Sequence, residues 1–240
     1  MSLPPPSIVI FDMDGTTVRH LNPFVLHMLE IFDDIGFTVG RFWNWIFRRG
    51  AKGPLLVPAE EEAYKQWRKP RLYGHRILHK VRRKSVEQIV EPCPGVYQVL
   101  DFLHDHGIPM ALASNGLGKG YGDDIIEKFG LGKYFQTTAF REDVRKSKPH
   151  PDGLLKVLGE MDVNVTEEDI IWHIGDRHKD VTATLSAQNS VTGKMVPIAY
   201  GLNSAVAILE KGLSPDHIVM GYPDLLQRLV ELLPPAAITE

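Results

Sequence analysis

The sequence contains a single cysteine, Cys93, among its 240 residues, so no disulfide can form within the chain. Proteins without disulfides are typical of reducing compartments. The sequence also lacks any apolar run approaching the roughly 20 residues that a membrane-spanning helix needs. Residues 1–7, MSLPPPS, have neither the basic nor the apolar segment of a secretion signal. These absences predict a cytoplasmic protein that has no membrane partner.

The net charge is only −3, but the charge is unevenly distributed along the chain. Residues 41–84 carry 13 Lys or Arg and 3 Glu, a balance of +10, whereas the remainder has a balance of −13. The basic stretch is interpreted either as a solvated helical face or as a surface that attracts an anionic substrate. A third hypothesis is that 41–84, which begins with RFWNWIFRR, docks on an acidic membrane or a nucleic acid.

Short apolar strands alternate with amphipathic helices in most of the chain. A first strand covers about 8–13, and the alternation resumes after Pro94 with strands that include 135–139 and 170–175. Strands alternating with helices predict right-handed βαβ units. The expected fold class is therefore α/β, with a doubly wound, mostly parallel, Rossmann-like sheet.

An insert interrupts this alternation. Residues 20–90 show helical spacing, for example over 74–90, and no strand pattern. We therefore expect a catalytic core formed by 1–19 and 91–240, with an all-helical cap domain, 20–90, inserted into it.

Polar side chains follow the predicted strands, where the chain would reach the carboxyl edge of the sheet. In an open parallel sheet, ligands bind in the crevice at this edge. Two acidic groups that leave a buried strand on one side are costly unless a cation or a reaction uses them. The candidate site residues are Asp12, Asp14, Ser114, Asn115, Lys148, Asp176 and Asp180.

These residues and their contexts resemble the four motifs of the haloacid dehalogenase superfamily of phosphotransferases, in the same order. DMDGT (12–16) resembles the first motif, Ser114 the second, Lys148 with its Pro-x-Pro context the third, and GDRHKD (175–180) the fourth. The phosphoglycolate phosphatase-like and β-phosphoglucomutase-like members are the most similar branch. They carry a helical cap between the first two motifs, where 20–90 lies here.

The resemblance implies a Mg²⁺-dependent phosphatase that hydrolyses a small phosphorylated metabolite through an aspartyl-phosphate intermediate. Asp12 would attack phosphorus, and Asp14 would protonate the leaving oxygen and then accept a proton from water. Ser114 and the Asn115 backbone N–H would hold phosphate oxygens, and Lys148 would offset the charge of Asp12 and the phosphate.

The same resemblance implies the ligands of the metal. Mg²⁺ would be bound by Asp12, the backbone carbonyl of Asp14, and Asp176. Asp180 would bind the ion through water or hold its ligands in place.

A sugar-phosphate mutase is the alternative to a phosphatase, and the seven site residues serve both reactions. Because the set of seven site residues is complete, docking on a membrane or a nucleic acid is not expected to be the main function. A monomer and a homodimer both remain open.

Two segments depart from the family pattern. Arg19 and His20 stand where most relatives carry Asp-Ser, and they are interpreted either as contacts to an anionic group or as solvated hinge residues. The fourth motif is unusually basic over 177–179, which bears on the identity of the substrate but not on the mechanism.

Overall fold

The computed structural model describes residues 3–21, 86–116 and 119–233. The chain divides into two units, one formed by Met1–Leu21 with Val86–Glu240 and the other by Asn22–Ser85. The second unit, and with it the predicted cap helices and the basic stretch 41–84, lies outside the described residues. No helix in the described ranges is both long and apolar enough to cross a membrane.

The described unit alternates strands and helices as predicted. Its strands are β1 (Ile8–Phe11), β2 (Val18–His20), β3 (Val90–Pro92), β4 (Met110–Ala113), β5 (Phe135–Ala139), β6 (Ile170–Gly175), β7 (Lys194–Tyr200) and β8 (Ile218–Val219). Its helices are α1 (Val96–Asp105), α2 (Lys119–Lys128), α3 (Asp152–Glu160), α4 (His178–Ala187), α5 (Leu202–Glu210) and α6 (Tyr222–Leu232).

Six of these strands form one parallel sheet in the order β5-β4-β1-β6-β7-β8. β1 lies near the middle, where Val9 pairs with Met110 of β4 and with Trp172 of β6. All four residues of β1 are buried, as expected for a strand covered by helices on both faces. The order reverses at β1, since the chain moves from β1 to β4 and β5 on one side and to β6, β7 and β8 on the other. The predicted Rossmann-like sheet is confirmed.

Helices α3 and α4 cover one face of this sheet. Leu154 and Val157 of α3 and Ala183 of α4 pack against Ile10 and Ile171 of the central strands, and all five side chains are buried. Burial of each of the Leu, Val and Ile side chains contributes on the order of 1.5–3 kcal/mol. This packing fixes the ends of β1 and β6, where the first and fourth motifs begin.

A small antiparallel ribbon formed by β2 and β3 was not predicted. Val18 pairs with Pro92, Arg19 with Glu91 and His20 with Val90. Charged residues and a proline in two three-residue strands give no apolar alternation, so the pattern provided no signal. The predicted helix 74–90 is also wrong at its end, because residues Val86–Gln88 form a 3₁₀ turn and Val90 begins β3.

Tyr222, the first residue of α6, anchors that helix to the turn that follows the first motif. Its hydroxyl donates to the backbone carbonyl of Thr16 at 2.9 Å, and its side chain is buried. Tyr222→Phe leaves this carbonyl without its partner, so we expect a loss of about 1–3 kcal/mol in the free energy of unfolding, measured with urea. Tyr97→Phe is the matched control, because the Tyr97 hydroxyl donates to the Phe129 carbonyl at a half-buried position. Equal losses in the two variants would contradict this anchoring role.

Candidate active site

The predicted site residues come together at the carboxyl edge of the sheet. Asp12 and Asp14 follow β1, which lies between the strands that lead to Ser114 and to Asp176. The central position of β1 therefore places the first motif between the second and the fourth. Asp180 stands in the first turn of α4, where its carboxylate accepts a hydrogen bond from the Arg177 backbone N–H at 3.0 Å. A carboxylate is favoured at this end of a helix because it caps free N–H groups.

Lys148 joins two of these carboxylates. Its Nζ atom lies 2.6 Å from Asp12 Oδ1 and 2.7 Å from Asp180 Oδ1, and its side chain is only 3% exposed. Burial tends to lower the pKa of Lys148, but the charges of the two carboxylates and their hydrogen bonds raise it above its usual value. Lys148 is therefore charged at neutral pH. Lys146, the competing lysine two residues earlier, is exposed.

Asp12, Asp176 and Asp180 form a cluster that could hold a metal ion, with one oxygen from each within 4.8 Å of the others. Asp176 Oδ1 is buried and has no hydrogen-bond partner among the residues that the structure describes. Lys148 supplies one positive charge to the three carboxylates, and the partly exposed Arg177 guanidinium lies 3.9 Å from Asp176. The three carboxylates still outnumber the two positively charged side chains, and Asp176 Oδ1 is available to bind an ion. Both observations fit a hard divalent cation that takes oxygen ligands.

The pKa values of the cluster show the same demand for positive charge. Burial, together with the charges of Asp180 and Asp176, raises the pKa of Asp12 well above its usual value, although Lys148 opposes this shift. Burial and the Asp180 charge raise the pKa of Asp176 to about 6. Asp180 differs, because Lys148 and the Arg177 N–H outweigh its burial and hold its pKa below the usual range. A bound cation would favour the ionised form of all three groups.

Three glycines let the backbone approach these carboxylates closely. A Cβ atom on Gly15 would lie 2.3 Å from Asp176 Oδ2, one on Gly116 would lie 1.7 Å from Asp14 Oδ2, and one on Gly175 would lie 2.4 Å from Asp180 Cγ. Gly15 also has a φ of 84°, which side chains disfavour. Each carboxylate therefore occupies the space that a side chain at the glycine position would fill.

The Asp14 carboxylate is not part of the metal cluster and contacts two other side chains. Its Oδ1 atom lies 2.9 Å from His20 Nε2, and its Oδ2 atom lies 3.4 Å from the Ser114 hydroxyl. A role in metal binding through the Asp14 backbone carbonyl stays a prediction. The contact with His20 was not predicted, because the sequence alone left this residue open between an anion contact and a solvated hinge.

Asn115 has a second role that the sequence did not indicate. Its side-chain amide donates to the Lys148 carbonyl at 3.1 Å and accepts from the Lys148 N–H at 3.0 Å. This two-bond contact fixes the loop that carries Lys148 against the end of β4. The predicted role, phosphate binding by the Asn115 backbone N–H, is not tested by these contacts and stays a prediction, as do the reaction roles of the other six residues.

The sequence profile of the haloacid dehalogenase-like hydrolases matches residues 9–193, more than half of the chain. The chain belongs to this family. The resemblance inferred from the motifs is thus confirmed, and so is the expectation that the protein is an enzyme.

Curated relatives of this haloacid dehalogenase-like hydrolase include two enzymes named for phosphate chemistry. The pyrophosphatase PpaX of Halalkalibacterium halodurans is 24% identical over 225 residues, which is 91% of this chain and 94% of the relative. The phosphoglycolate phosphatase of Salmonella paratyphi A is 28% identical over 179 residues, 72% of this chain and 62% of the relative.

Crystal structures of other family members share the fold. A hydrolase of this superfamily from Ehrlichia chaffeensis has a TM-score of 0.59 at 19% identity, and the match covers 97% of this chain and 100% of that one. A subfamily IA member from Geobacter sulfurreducens has a TM-score of 0.53 at 19% identity, covering 95% and 100%. At this identity the likeness shows the fold alone.

The close approach of Gly175 to Asp180 gives a direct test of the metal cluster. Gly175→Ala adds a Cβ atom that forces the Asp180 carboxylate to move. We expect Gly175→Ala to weaken the binding of a divalent cation about 10- to 100-fold, the usual effect of disturbing residues that orient metal ligands. Isothermal titration calorimetry with Mg²⁺ and Mn²⁺ measures this change.

Gly159→Ala in α3 is the matched control, because its added Cβ would meet no described residue within 4 Å beyond its own helix backbone and chain neighbours. Its cation affinity should equal that of the wild type. Unchanged affinity in a folded Gly175→Ala variant would show that Asp180 does not support a cation site.

Proposed function

We propose that this chain is a Mg²⁺-dependent phosphatase that hydrolyses a small phosphorylated metabolite through an aspartyl-phosphate on Asp12. One observation carries the proposal: the buried Lys148 ammonium contacts Asp12 and Asp180 beside Asp176, whose Oδ1 has no partner within the described part of the chain. This arrangement supports the proposal, because phosphoryl transfer needs a nucleophile, a fixed positive charge and oxygen atoms that can bind a cation.

In the first step, a carboxylate oxygen of Asp12 attacks phosphorus. The bond from phosphorus to the ester oxygen breaks as the bond to Asp12 forms. Lys148 contacts Oδ1 of Asp12, so the attack is assigned to the second oxygen. Because burial raises the pKa of Asp12, positive charge from Lys148 and a cation is needed to keep this group ionised.

Asp14 transfers the protons. It begins protonated and gives its proton to the leaving oxygen, so that an alcohol departs. In the second step Asp14, now a carboxylate, accepts a proton from water as the water oxygen attacks phosphorus and the bond from phosphorus to Asp12 breaks. Inorganic phosphate leaves, and both aspartates return to their initial states.

Three groups would hold the phosphate oxygens. The Ser114 hydroxyl and the Asn115 backbone N–H follow β4, and Lys148 is held beside them by the Asn115 amide. Fixed donors and a positive charge in a buried site stabilise the charge that develops on the equatorial oxygens.

Mg²⁺ would be held by Asp12, Asp176 and the backbone carbonyl of Asp14. Asp180 is tied to Lys148 and to the Arg177 N–H, so it would act through water or by orienting the other ligands. When bound, the ion would neutralise the charge of the phosphoryl group and of Asp12.

The names of the curated relatives guide the choice of substrates. Pyrophosphate and phosphoglycolate, for which the two relatives above are named, are the first compounds to test. Sugar phosphates follow, since a mutase remains the alternative. The proposal includes a cytoplasmic location and a monomer or a homodimer as expectations.

Asp12→Asn tests the nucleophile. The amide has nearly the same size as the carboxylate but is not nucleophilic, so we expect phosphate release in the presence of Mg²⁺ to fall about 10³-fold or more. Malachite green detection over the substrate panel measures the release, and mass spectrometry of the rapidly quenched wild type should place the phosphoryl group on Asp12.

Asp162→Asn makes the same chemical change at an exposed position and should keep wild-type activity. Equal activity in Asp12→Asn and the wild type would refute the assignment of the nucleophile. Isomerised sugar phosphate without net phosphate release, observed by NMR, would indicate a mutase instead.

Removal of the metal provides an independent test. We expect EDTA to abolish phosphate release and added Mg²⁺ to restore it, because the carboxylates and the phosphate would otherwise repel one another. Ca²⁺, which is larger and takes more ligands, should restore much less activity than Mg²⁺. Full activity after chelation, with residual metal checked by elemental analysis, would contradict the metal role.

A further inference from the structure

His20 lies directly against the proposed acid–base residue. Its Nε2 atom is 2.9 Å from Asp14 Oδ1, and the two side chains are 5% and 7% exposed. An Asp14 oxygen that carries no proton can only accept a hydrogen bond, so this contact assigns Nε2 as the donor and Oδ1 as the acceptor. None of the reaction roles proposed above involves a histidine at position 20.

We propose that His20 is a positioning residue that orients Asp14 for proton transfer to the leaving oxygen, an inference that rests on the proposed phosphatase function. His20 occupies Oδ1, so Oδ2 is the oxygen that carries the transferred proton. Oδ2 lies next to Gly116 and 3.4 Å from the Ser114 hydroxyl, which is one of the proposed phosphate-binding groups.

The backbone between the two residues fixes this arrangement. The Gly15 N–H donates to the Val18 carbonyl at 2.8 Å, and the Val18 N–H donates to the Met13 carbonyl at 2.9 Å. This turn returns the chain so that β2 runs past Asp14. The pairing of His20 with Val90 in the β2–β3 ribbon then fixes the backbone that carries the imidazole.

Arg19, the other residue that departs from the family pattern, has a different environment. Its guanidinium forms an ion pair with Glu91 across the ribbon at 2.6 Å, and both side chains are largely exposed. The alternation of a strand places neighbouring residues on opposite faces. Of the two residues, His20 is therefore the one directed at the chemistry.

Two substitutions of similar length separate the hydrogen bond from simple packing. His20→Met fills much of the same volume but has no donor, whereas the His20→Gln amide can donate to Oδ1. The reaction is followed with two substrates, an alkyl phosphate chosen from the panel and p-nitrophenyl phosphate. The alkoxide needs a proton to leave, and p-nitrophenolate does not.

The value of kcat/KM reports the first transfer, since release of the alcohol commits the enzyme. For His20→Met we expect kcat/KM to fall about 10- to 100-fold with the alkyl phosphate and less than about threefold with p-nitrophenyl phosphate. His20→Gln should recover most of the loss with the alkyl phosphate. Asp14→Asn, which removes the acid itself, should show the same selectivity with a larger effect.

Arg19→Ala, at the adjacent position of the same strand, serves as the control and should change the two substrates equally. The inference is overturned if His20→Met lowers both kcat/KM values alike, because a general disturbance of the site would do so. It is also overturned if neither value changes. By contrast, a folded wild type that releases phosphate from no ester in Mg²⁺ would refute the phosphatase function itself.

Discussion

The site depends on the buried ammonium of Lys148, which is in contact with two carboxylates and near a third. Carboxylates at this density repel one another strongly at low dielectric, and loss of one partner from a buried ion pair costs about 3–5 kcal/mol. Hydrogen bonds from neighbouring residues hold this ammonium and its partners in position. The Asn115 side chain forms hydrogen bonds with both the N–H and the carbonyl of Lys148, and the first turn of α4 fixes Asp180. Lys148 does not complete the balance, so the protein without a metal retains a need for positive charge that a cation or a protonated aspartate must meet.

Close backbone approach is the second constraint, and it follows from the first. To bring carboxylates from β1, β6 and α4 within reach of one ammonium, the loops must leave no side chain between them. Gly15 and Gly175 provide this space, because added Cβ atoms would lie 2.3 Å from Asp176 Oδ2 and 2.4 Å from Asp180 Cγ. Gly116 leaves similar room for Asp14 Oδ2, which an added Cβ would approach to 1.7 Å. The glycines next to the acidic residues in DMDGT and GDRHKD are thus required by the geometry of the charged groups. Glycine loops of this kind shape the site without binding any ligand through a side chain.

Much of this architecture was predictable because the strands of the large sheet are apolar runs that end in glycine or polar residues. β6 begins and ends where the pattern of 170–175 predicted, and parallel topology then brings the predicted site residues to one edge. The β2–β3 ribbon was not predictable, since its pairing depends on the approach of residues 72 positions apart, such as Arg19 and Glu91. The same limit applies to side-chain contacts: Asn115 could be placed beside the phosphate position, but its amide contact with Lys148 depends on the distance between two loops.

The β2–β3 ribbon could not be predicted from the sequence, yet it orients a side chain of the candidate site. A motif specifies the residues that react, since their types are required by the reaction, but it leaves open how their side chains are oriented. An aspartate that donates a proton must present one defined oxygen, because small displacements of a catalytic group reduce rates steeply. Here β2 brings the His20 imidazole to Asp14 Oδ1, while Gly116 leaves room for Oδ2. Two short strands without a recognisable pattern thereby orient the proposed proton donor, so a departure from the family sequence at position 20 is compatible with an otherwise complete set of proposed reacting residues.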